Sequence, residues 1–573
     1  MWVVVSGRTS RYSAYMVQHQ LTALIARALT TRGLSSTHIE LTHPTDLAHG
    51  DFATNIALAL AKGAGKNPRV LADEIVAALP SVDWIERVEV AGPGFINFHL
   101  SRIFLRDLVR TALREGEKWG ANTALTGKKV MVEHTQPNPF KPFHIGHLMS
   151  NTIGESISRL YEFAGAEVRR ANYQGDVGRH VAMCLWGLKK LGGNPHSIED
   201  LGHAYVEGNR AYEDSDEAKR EIIEYNKMVY ANSAEIAEDY RIGREVSLEH
   251  FEELYTLLGS TFDYYFFESQ SQAPGRTMVK EGLADGVFAE SEGAIVFKGE
   301  EYGLHTRVFI TKEGLPTYEA KELGLVQLKV EKWPFDLSIT TTAVEQEEYF
   351  KVVYKVLSLL RPELAHRLLH VPHGMMILTT GKMSSRKGNV VTGESLLSDM
   401  LERTREKVAE RDIAPDEKET IARAVAVAAI KYSVLKQNAG KNTTFEPDKS
   451  LSFEGDSGPY LQYAHTRAAS VLEKARVAGV APSTALAPHE ATMLERILYR
   501  FPEVVRRARE EHEPHHVTTY LIELAAAWNS WYASEKILDG SATAPYKLAL
   551  AQAFALTMKN GLWVLGIQAP EKM

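Results

Sequence analysis

At 573 residues the chain is long enough for roughly three to four domains and a large buried core. Hydrophobic residues make up 44% and charged residues 24%, an ordinary globular balance that excludes a disordered or fibrous chain. The net charge of −8 argues against wholesale nucleic-acid wrapping but leaves room for a locally basic face. The single cysteine, Cys184, excludes an internal disulfide and a Cys-based zinc cage, and no apolar run approaches the ~20 residues that span a bilayer.

The first acidic residue is Glu40, after Arg8, Arg11, Arg27 and Arg32. Such a start suits an organelle transit peptide, but an irregular extension before a helix at Val17–Thr30 explains it better. The Asn442-Thr443-Thr444 sequon carries little weight without a secretory signal. Residues 17–118 read as a compact α/β module with helices at Val17–Thr30, Asp51–Lys62 and Arg69–Leu79. Strands follow at Ile85–Val90 and Gly94–Leu100 around a Gly92-Pro93-Gly94 turn. Gly63-Ala64-Gly65-Lys66 fails as a phosphate loop, because Leu60 and Asn67 stand where its glycine and its magnesium-binding hydroxyl belong. It reads as a helix stop.

A buried strand is predicted at Lys129–Glu133, followed by a proline-rich loop over Thr135–Phe143. A helix from Ile145 to Phe163 ends at Gly165, and the next strand runs from Glu167 to Tyr173. Strand, loop, helix and strand in this order make the first unit of a doubly wound nucleotide-binding sheet. The charged helical stretch from Pro195 to Gly259 reads as an insertion. Strands at Ala294–Lys298, Arg307–Ile310 and Leu337–Thr341 are expected to complete the sheet, with a helix at Glu347–Leu360. From Leu396 to Met573 nearly everything is helix-patterned, a separate bundle. No internal repeat or low-complexity tract interrupts the chain.

The chemistry concentrates in two segments. His144-Ile145-Gly146-His147 places two imidazoles on one turn at a helix N-terminus, where free N–H groups and the helix dipole favour phosphate. Gly146 removes a side chain so that a flat ring or a ribose can approach the backbone. Far along the chain, Lys382-Met383-Ser384-Ser385-Arg386-Lys387-Gly388 sets cations among small residues. Such a loop can stabilise charge on departing phosphates. A histidine pair alone is as well explained by a solvated face or a metal pair, and a basic loop alone by ordinary surface; the two together favour a nucleotide site. No third residue at suitable spacing makes the histidines a metal site. His512, His515 and His516 mark a loop and a helix start rather than a zinc site.

On these motifs the chain resembles the class I aminoacyl-tRNA synthetases, and specifically the arginyl type. The first class motif is matched in full. The second, usually Lys-Met-Ser-Lys-Ser, departs at its fourth and fifth positions. Arginyl enzymes often lack that second lysine and carry one just before the first motif, where this chain has Lys141. The resemblance implies an α/β multidomain protein in three parts. Residues 1–118 would be a small α+β N-terminal domain contacting the tRNA elbow. Residues 119–395 would be a Rossmann-like, doubly wound parallel-sheet catalytic domain, with a helical insertion at about 196–260. Residues 396–573 would be an all-α anticodon-binding domain. It further implies His144, His147, Lys141 and Lys382 as catalytic groups, and Gly146, Ser384, Ser385 and Arg386 at ATP. Arginine selection needs buried carboxylates to meet a planar fork of donors. By resemblance Glu133 and Asn138 would bind the backbone amine and carboxylate region, and Tyr318 and Glu322 the guanidinium, with Gln346 nearby. The family commonly has Asp at the position of Glu322. Asn97 would reach the arginine site, and Asp176 would have a structural or ligand-orienting role.

In the C-terminal part, Tyr460, Tyr463, Trp531 and Met573 would contact the anticodon, since unpaired bases stack on aromatic faces, while Trp528 reads as core. The implied partners are arginine tRNA, L-arginine and ATP with Mg2+ as the substrate complex, with no structural metal and no membrane. A cytoplasmic monomer is expected, an organellar site being the alternative; bound tRNA is expected to be needed even for activation. A non-catalytic tRNA-binding paralogue would have lost the histidines and cations. A small adenylyl-transferring enzyme would not need the C-terminal helices. A cysteinyl-type synthetase would carry zinc ligands that this chain lacks.

Overall fold

The computed structural model describes residues 14–36, 38–379, 392–410, 412 and 414–573. The N-terminal part runs α1 (Ala14–Thr31), β1 (Phe52–Thr54), α2 (Ile56–Ala64), α3 (Pro68–Ala78), β2 (Ile85–Ala91), β3 (Phe95–Leu100) and α4 (Arg102–Glu115). Val17, Leu21, Ile25 and Ala28 bury one stripe of α1, the helical period that the sequence predicts. The stop at Gly65 is left-handed, with φ 64°, and Asn67 caps α3 by accepting from the Arg69 amide at 2.9 Å. The helix expected from Asp51 begins only at Ile56. Gly50, at φ 86°, lies so close to the Phe98 carbonyl that a Cβ would come within 2.6 Å. That approach brings Phe52–Thr54 into antiparallel register with Ile96–Phe98. Backbone pairing with β3 therefore overrides local helix propensity there.

The central part continues with β4 (Lys129–Glu133), α5 (Ile145–Phe163), β5 (Glu167–Gln174), α6 (Arg179–Leu191), α7 (Ile198–Asp214), α8 (Asp216–Ala231) and α9 (Ala237–Leu258). Next come β6 (Tyr264–Phe267), α10 (Glu268–Ala284), β7 (Ala289–Ser291), β8 (Ala294–Phe297), β9 (Arg307–Ile310) and α11 (Tyr318–Lys332). Then follow β10 (Leu337–Ala343), α12 (Glu347–Leu360), α13 (Pro362–Ala365), β11 (Leu368–His373) and β12 (Met376–Leu378). Five strands form one all-parallel sheet in the order β11-β10-β4-β5-β6. Strand order reverses between β4 and β10, where doubly wound sheets open a ligand crevice at their carboxyl ends.

Two of the three strands expected to complete this sheet do not join it. β8 and β9 instead build a small antiparallel sheet with β7. The places in the main sheet are taken by β6, whose aromatic run suits a strand, and by the edge strand β11, whose histidines and Pro372 break the apolar pattern.

The C-terminal part comprises α14 (Gly393–Ala409), α15 (Pro415–Leu435), β13 (Thr443–Phe445), α16 (Pro447–Ser450), α17 (Gly458–Val477), α18 (Met493–Leu498), α19 (Phe501–Glu511), α20 (His515–Ser534) and α21 (Ala544–Val564). It is helical as expected, except that β13 pairs in parallel with β12. The central and C-terminal parts meet on α5, which touches β4, β5 and β10 of the sheet and α14, α15, α19 and α21 of the bundle. The N-terminal part is tied to the bundle by Arg496–Asp51 at 2.6 Å, Arg102–Glu495 at 2.6 Å and His43–Glu503 at 3.2 Å.

Candidate active site

The loop from β4 to α5 is held in an unusual shape. Thr135, Gln136 and Phe140 all have positive φ, at 77°, 52° and 65°, a region that non-glycine residues rarely occupy without compensation. The compensation is visible: the Thr135 amide donates to Ser150 Oγ at 2.9 Å and the Phe140 amide to Ser247 Oγ at 3.0 Å. The buried Phe140 ring stacks on Tyr240 at 5.7 Å. This pinned loop delivers His144 as the residue that starts α5.

His144 and His147 stack with ring centroids 3.4 Å apart, and the His144 amide donates to His147 Nδ1 at 3.1 Å. The flat ring that Gly146 admits is that of His144 itself, since a Cβ at 146 would sit 3.0 Å from His144 Cε1. Burial, then Lys141 and His373, lower the His144 pKa to about 4. Burial and the neighbouring His144, Lys141 and His373 hold His147 well below the usual imidazole range. Both rings are thus neutral near neutral pH. With Nδ1 accepting, His147 carries its proton on Nε2 and offers it as a donor. Lys141 is half-buried, with Nζ 5.9 Å from the Tyr205 ring centroid. Burial lowers its pKa.

A cleft of 550 Å³ opens at the carboxyl ends of β4, β5 and β10, and Glu133, Asn138, His144, Gly146, His147, Tyr318, Glu322 and Gln346 all line it. The structure therefore brings together eight of the residues named from sequence. A more open groove of 680 Å³ on the β6 edge shares none of them. The buried carboxylates of the cleft divide into paired and unpaired. Glu133 is in an ion pair with Lys329, Glu268 pairs with Lys321 at 2.6 Å, and Glu319 with Arg307 at 3.3 Å. Among the described residues no lysine or arginine pairs with Glu322, which is only 6% exposed. Burial first, and the Glu133 carboxylate second, raise its pKa. Tyr318 stands at the mouth, 65% exposed, and the Tyr349 hydroxyl donates to its carbonyl at 3.0 Å.

Several sequence assignments change on this geometry. Glu133 lines the cleft, but Gln136 Nε2 donates to its Oε1 at 2.7 Å and Lys329 holds Oε2. Both of its oxygens are therefore already engaged by neighbouring side chains. Asn138 Oδ1 accepts from the Gly175 amide at 2.9 Å, which leaves its NH2 for the cleft, a donor suited to a carboxylate. Asn97 lies buried on β3, paired across the N-terminal sheet with Ala53 and Glu89, and does not line the cleft. Asp176 is structural, accepting from the Ser269 amide at 2.9 Å and Ser269 Oγ at 2.7 Å while pairing with Arg244 at 3.3 Å. Lys382, Ser384, Ser385 and Arg386 lie outside the described residues. The chain described next, at Thr392, bridges to His144, and the Gly393 amide donates to the Phe143 carbonyl at 2.8 Å. Sequence reasoning missed Glu268 and His180, which also line the cleft.

On the C-terminal bundle, Tyr460 accepts from Asn529 Nδ2 at 3.0 Å. Arg467 donates to Tyr463 at 3.3 Å and lies over the Tyr463 and Tyr532 rings. Trp531 is 9% exposed and packs on Trp528 at 5.6 Å, so its ring is core rather than an open stacking face; Arg467, Asn529 and Tyr532 take its place beside the two tyrosines. Trp528 is core as expected, stacked on Phe554 at 4.5 Å. The tail that ends at Met573 lies along α17, with the Pro570 carbonyl accepting from Thr466 Oγ1 at 3.1 Å and contacting His465 Nδ1 at 2.9 Å. His512 contacts the Tyr161 hydroxyl at 2.8 Å and His515 starts α20. Among the described residues no group of His, Cys, Asp and Glu side chains could hold a metal ion, and no helix is long and apolar enough to cross a membrane.

Comparison with known proteins bears on all three parts. The family of class I tRNA synthetase (R) catalytic domains matches residues 108–446. The arginyl-tRNA synthetase N-terminal domain family matches 19–100, and the DALR anticodon-binding domain family matches 461–573. An arginine–tRNA ligase of Lactococcus lactis is 32% identical over 97% of this chain and 99% of its own length. One from Clostridium perfringens is 31% identical over 91% of this chain and 94% of its own. The solved arginyl-tRNA synthetase of Thermus thermophilus superposes with a TM-score of 0.80 at 28% identity, over 97% of this chain and 100% of that one.

Proposed function

We propose how the cleft divides its labour, starting from the premise that the chain belongs to the class I arginyl-tRNA synthetases. The reaction is that of the family: L-arginine, ATP and arginine tRNA give arginyl-tRNA, AMP and pyrophosphate. The observation that carries our reading is a buried carboxylate, Glu322, that is in no ion pair among the described residues and shares its 550 Å³ cleft with two neutral imidazoles.

Glu322 receives the guanidinium, whose fork of donors suits a carboxylate, while Tyr318 closes the mouth and Gln346 flanks it. Asn138 donates to the arginine carboxylate. That carboxylate attacks the α-phosphorus of MgATP in line: a C–O–P bond forms, the bond to the β-phosphate oxygen breaks, and pyrophosphate leaves with the electron pair. His144 and His147 donate to the departing phosphates, Lys141 and Lys382 supply charge, and Gly146, Ser384, Ser385 and Arg386 seat the nucleotide. No side chain acts as nucleophile, so positioning and electrostatics carry the rate. A hydroxyl of the terminal adenosine of tRNA then attacks the arginyl carbonyl, losing its proton as AMP departs.

Residues 1–118 contact the tRNA elbow, 119–395 perform the chemistry, and 396–573 read the anticodon through Tyr460, Tyr463 and the tail at Met573. The match of the catalytic family to residue 446 and the pairing of β12 with β13 support an intimate junction between the last two parts. We place the enzyme in the cytoplasm as a monomer, with the bacterial origin of the relatives above as support for the compartment.

Glu322→Gln tests the reading. Its arginine KM is expected to rise about ten- to a hundredfold, the range for losing a charged hydrogen bond, with the ATP KM held. Equal loss of both would make Glu322 a structural residue and move the guanidinium elsewhere.

A further inference from the structure

Lys329 is only 1% exposed, lies seven residues beyond Glu322 on α11, and does not line the cleft. Seven residues are two turns, so both side chains leave the same face of the helix. Lys329 reaches Glu133 at the end of β4 and forms an ion pair that is almost fully buried on both sides. Gln136 occupies the other Glu133 oxygen. A buried ion pair is weak evidence for stability, because desolvation offsets most of its attraction. One placed directly behind a binding cleft calls for another reason.

That reason is the number of charges the cleft presents. Glu322 is faced by Glu133 from β4, Glu268 from α10, Tyr173 from β5, Tyr349 and Tyr354 from α12, and by Lys329 from its own helix, whose charge opposes the rise that burial and Glu133 cause. Lys321 answers Glu268, and Lys329 answers Glu133. Without Lys329, Glu133 and Glu322 would be two anions in one dry cavity, and such pairs retain a proton rather than both ionise. Burial already favours a proton on Glu322; a second unanswered anion would hold that proton more tightly, and an incoming guanidinium would find it harder to displace.

We propose that Lys329 is a positioning residue for amino-acid recognition: by holding Glu133 in a closed pair behind the cleft, it leaves Glu322 as the one carboxylate for the guanidinium and fixes the charge of the accepted side chain at +1. The inference rests on reading Glu322 as the guanidinium partner.

The test is the pH profile of the arginine KM in tRNA charging, with the ATP KM measured in parallel, over roughly pH 6 to 9. Lys329→Met is expected to raise the arginine KM about tenfold near neutrality and to move the profile about one unit alkaline, with the ATP KM unchanged. Lys329→Arg keeps the charge and restores the profile. The double variant E133Q/K329M removes both charges together and returns the profile toward that of the parent; it decides the question alone if Lys329→Met does not fold. An unshifted profile in Lys329→Met, an equal rise in the ATP KM, or a double variant as impaired as the single would overturn the proposal. If Glu322→Gln leaves the arginine KM intact, the underlying reading of the site fails instead, whatever Lys329 does.

Discussion

The two ends of α5 handle charge in opposite ways. At its back, Glu155 accepts from Arg159 at 2.6 Å and from Arg170 at 2.7 Å, and Arg170 reaches Glu162 at 2.6 Å. Arg159 also donates to the carbonyls of Trp563 at 2.9 Å and Gly259 at 3.0 Å. Burial alone would raise the Glu155 carboxyl, but Arg159 and Arg170 overcome it and hold it at about 2. At its front, His144 and His147 are kept neutral, and nearby Glu322 is in no ion pair among the described residues. The closed end fastens α5 to the sheet and to the C-terminal bundle. The open end keeps polar groups poised for a charged substrate, an arrangement that only a rigidly held helix can sustain.

Opening the closed end should cost most. Glu155→Gln leaves Arg159 and Arg170 partly unanswered in a buried setting, and is expected to lower unfolding stability by about 3–5 kcal/mol in denaturant titration. A loss under about 1 kcal/mol would mean that the lattice is solvated and does not anchor the helix.

At the open end, Lys141→Ala should reduce arginine-dependent ATP–pyrophosphate exchange, measured with tRNA present, by about 10²–10³. An unchanged rate would shift the burden to Lys382 or Arg386. The smallest effect is a pH dependence. The raised pKa of Glu322 means that the empty site holds a proton which guanidinium must displace. Arginine affinity should therefore rise with pH, by at most about tenfold per unit below that pKa, and level off above it. A flat profile would show the carboxylate already ionised in the empty cleft.

Much of this was legible because local patterns and tertiary structure agree. The run Lys129–Glu133, the helix from Ile145 and the strand from Glu167 form as expected, since buried parallel strands read as short apolar runs between turn signals. The helix placing Tyr318 and Glu322 four apart puts both on the cleft. What escaped was non-local. Nothing near Ala294 or Arg307 says which sheet will accept those strands, and Phe52–Thr54 becomes a strand only because β3 lies beside it. Glu268 had a usable signal, an acid at the end of the aromatic run Tyr264–Phe267 where a strand delivers a helix. Lys329 had none, because a lysine inside a charged helical pattern looks solvated until the fold places Glu133 against it.

The most direct test of the neutral open end is imidazole nitrogen NMR on histidine-labelled protein, with His147 assigned through a His147→Gln variant. At about pH 6.5, the pKa of a free imidazole, His147 should appear as a neutral ring with a single proton on Nε2. A ring protonated on both nitrogens would contradict the account, making the pair cations that attract phosphate by charge rather than poised donors.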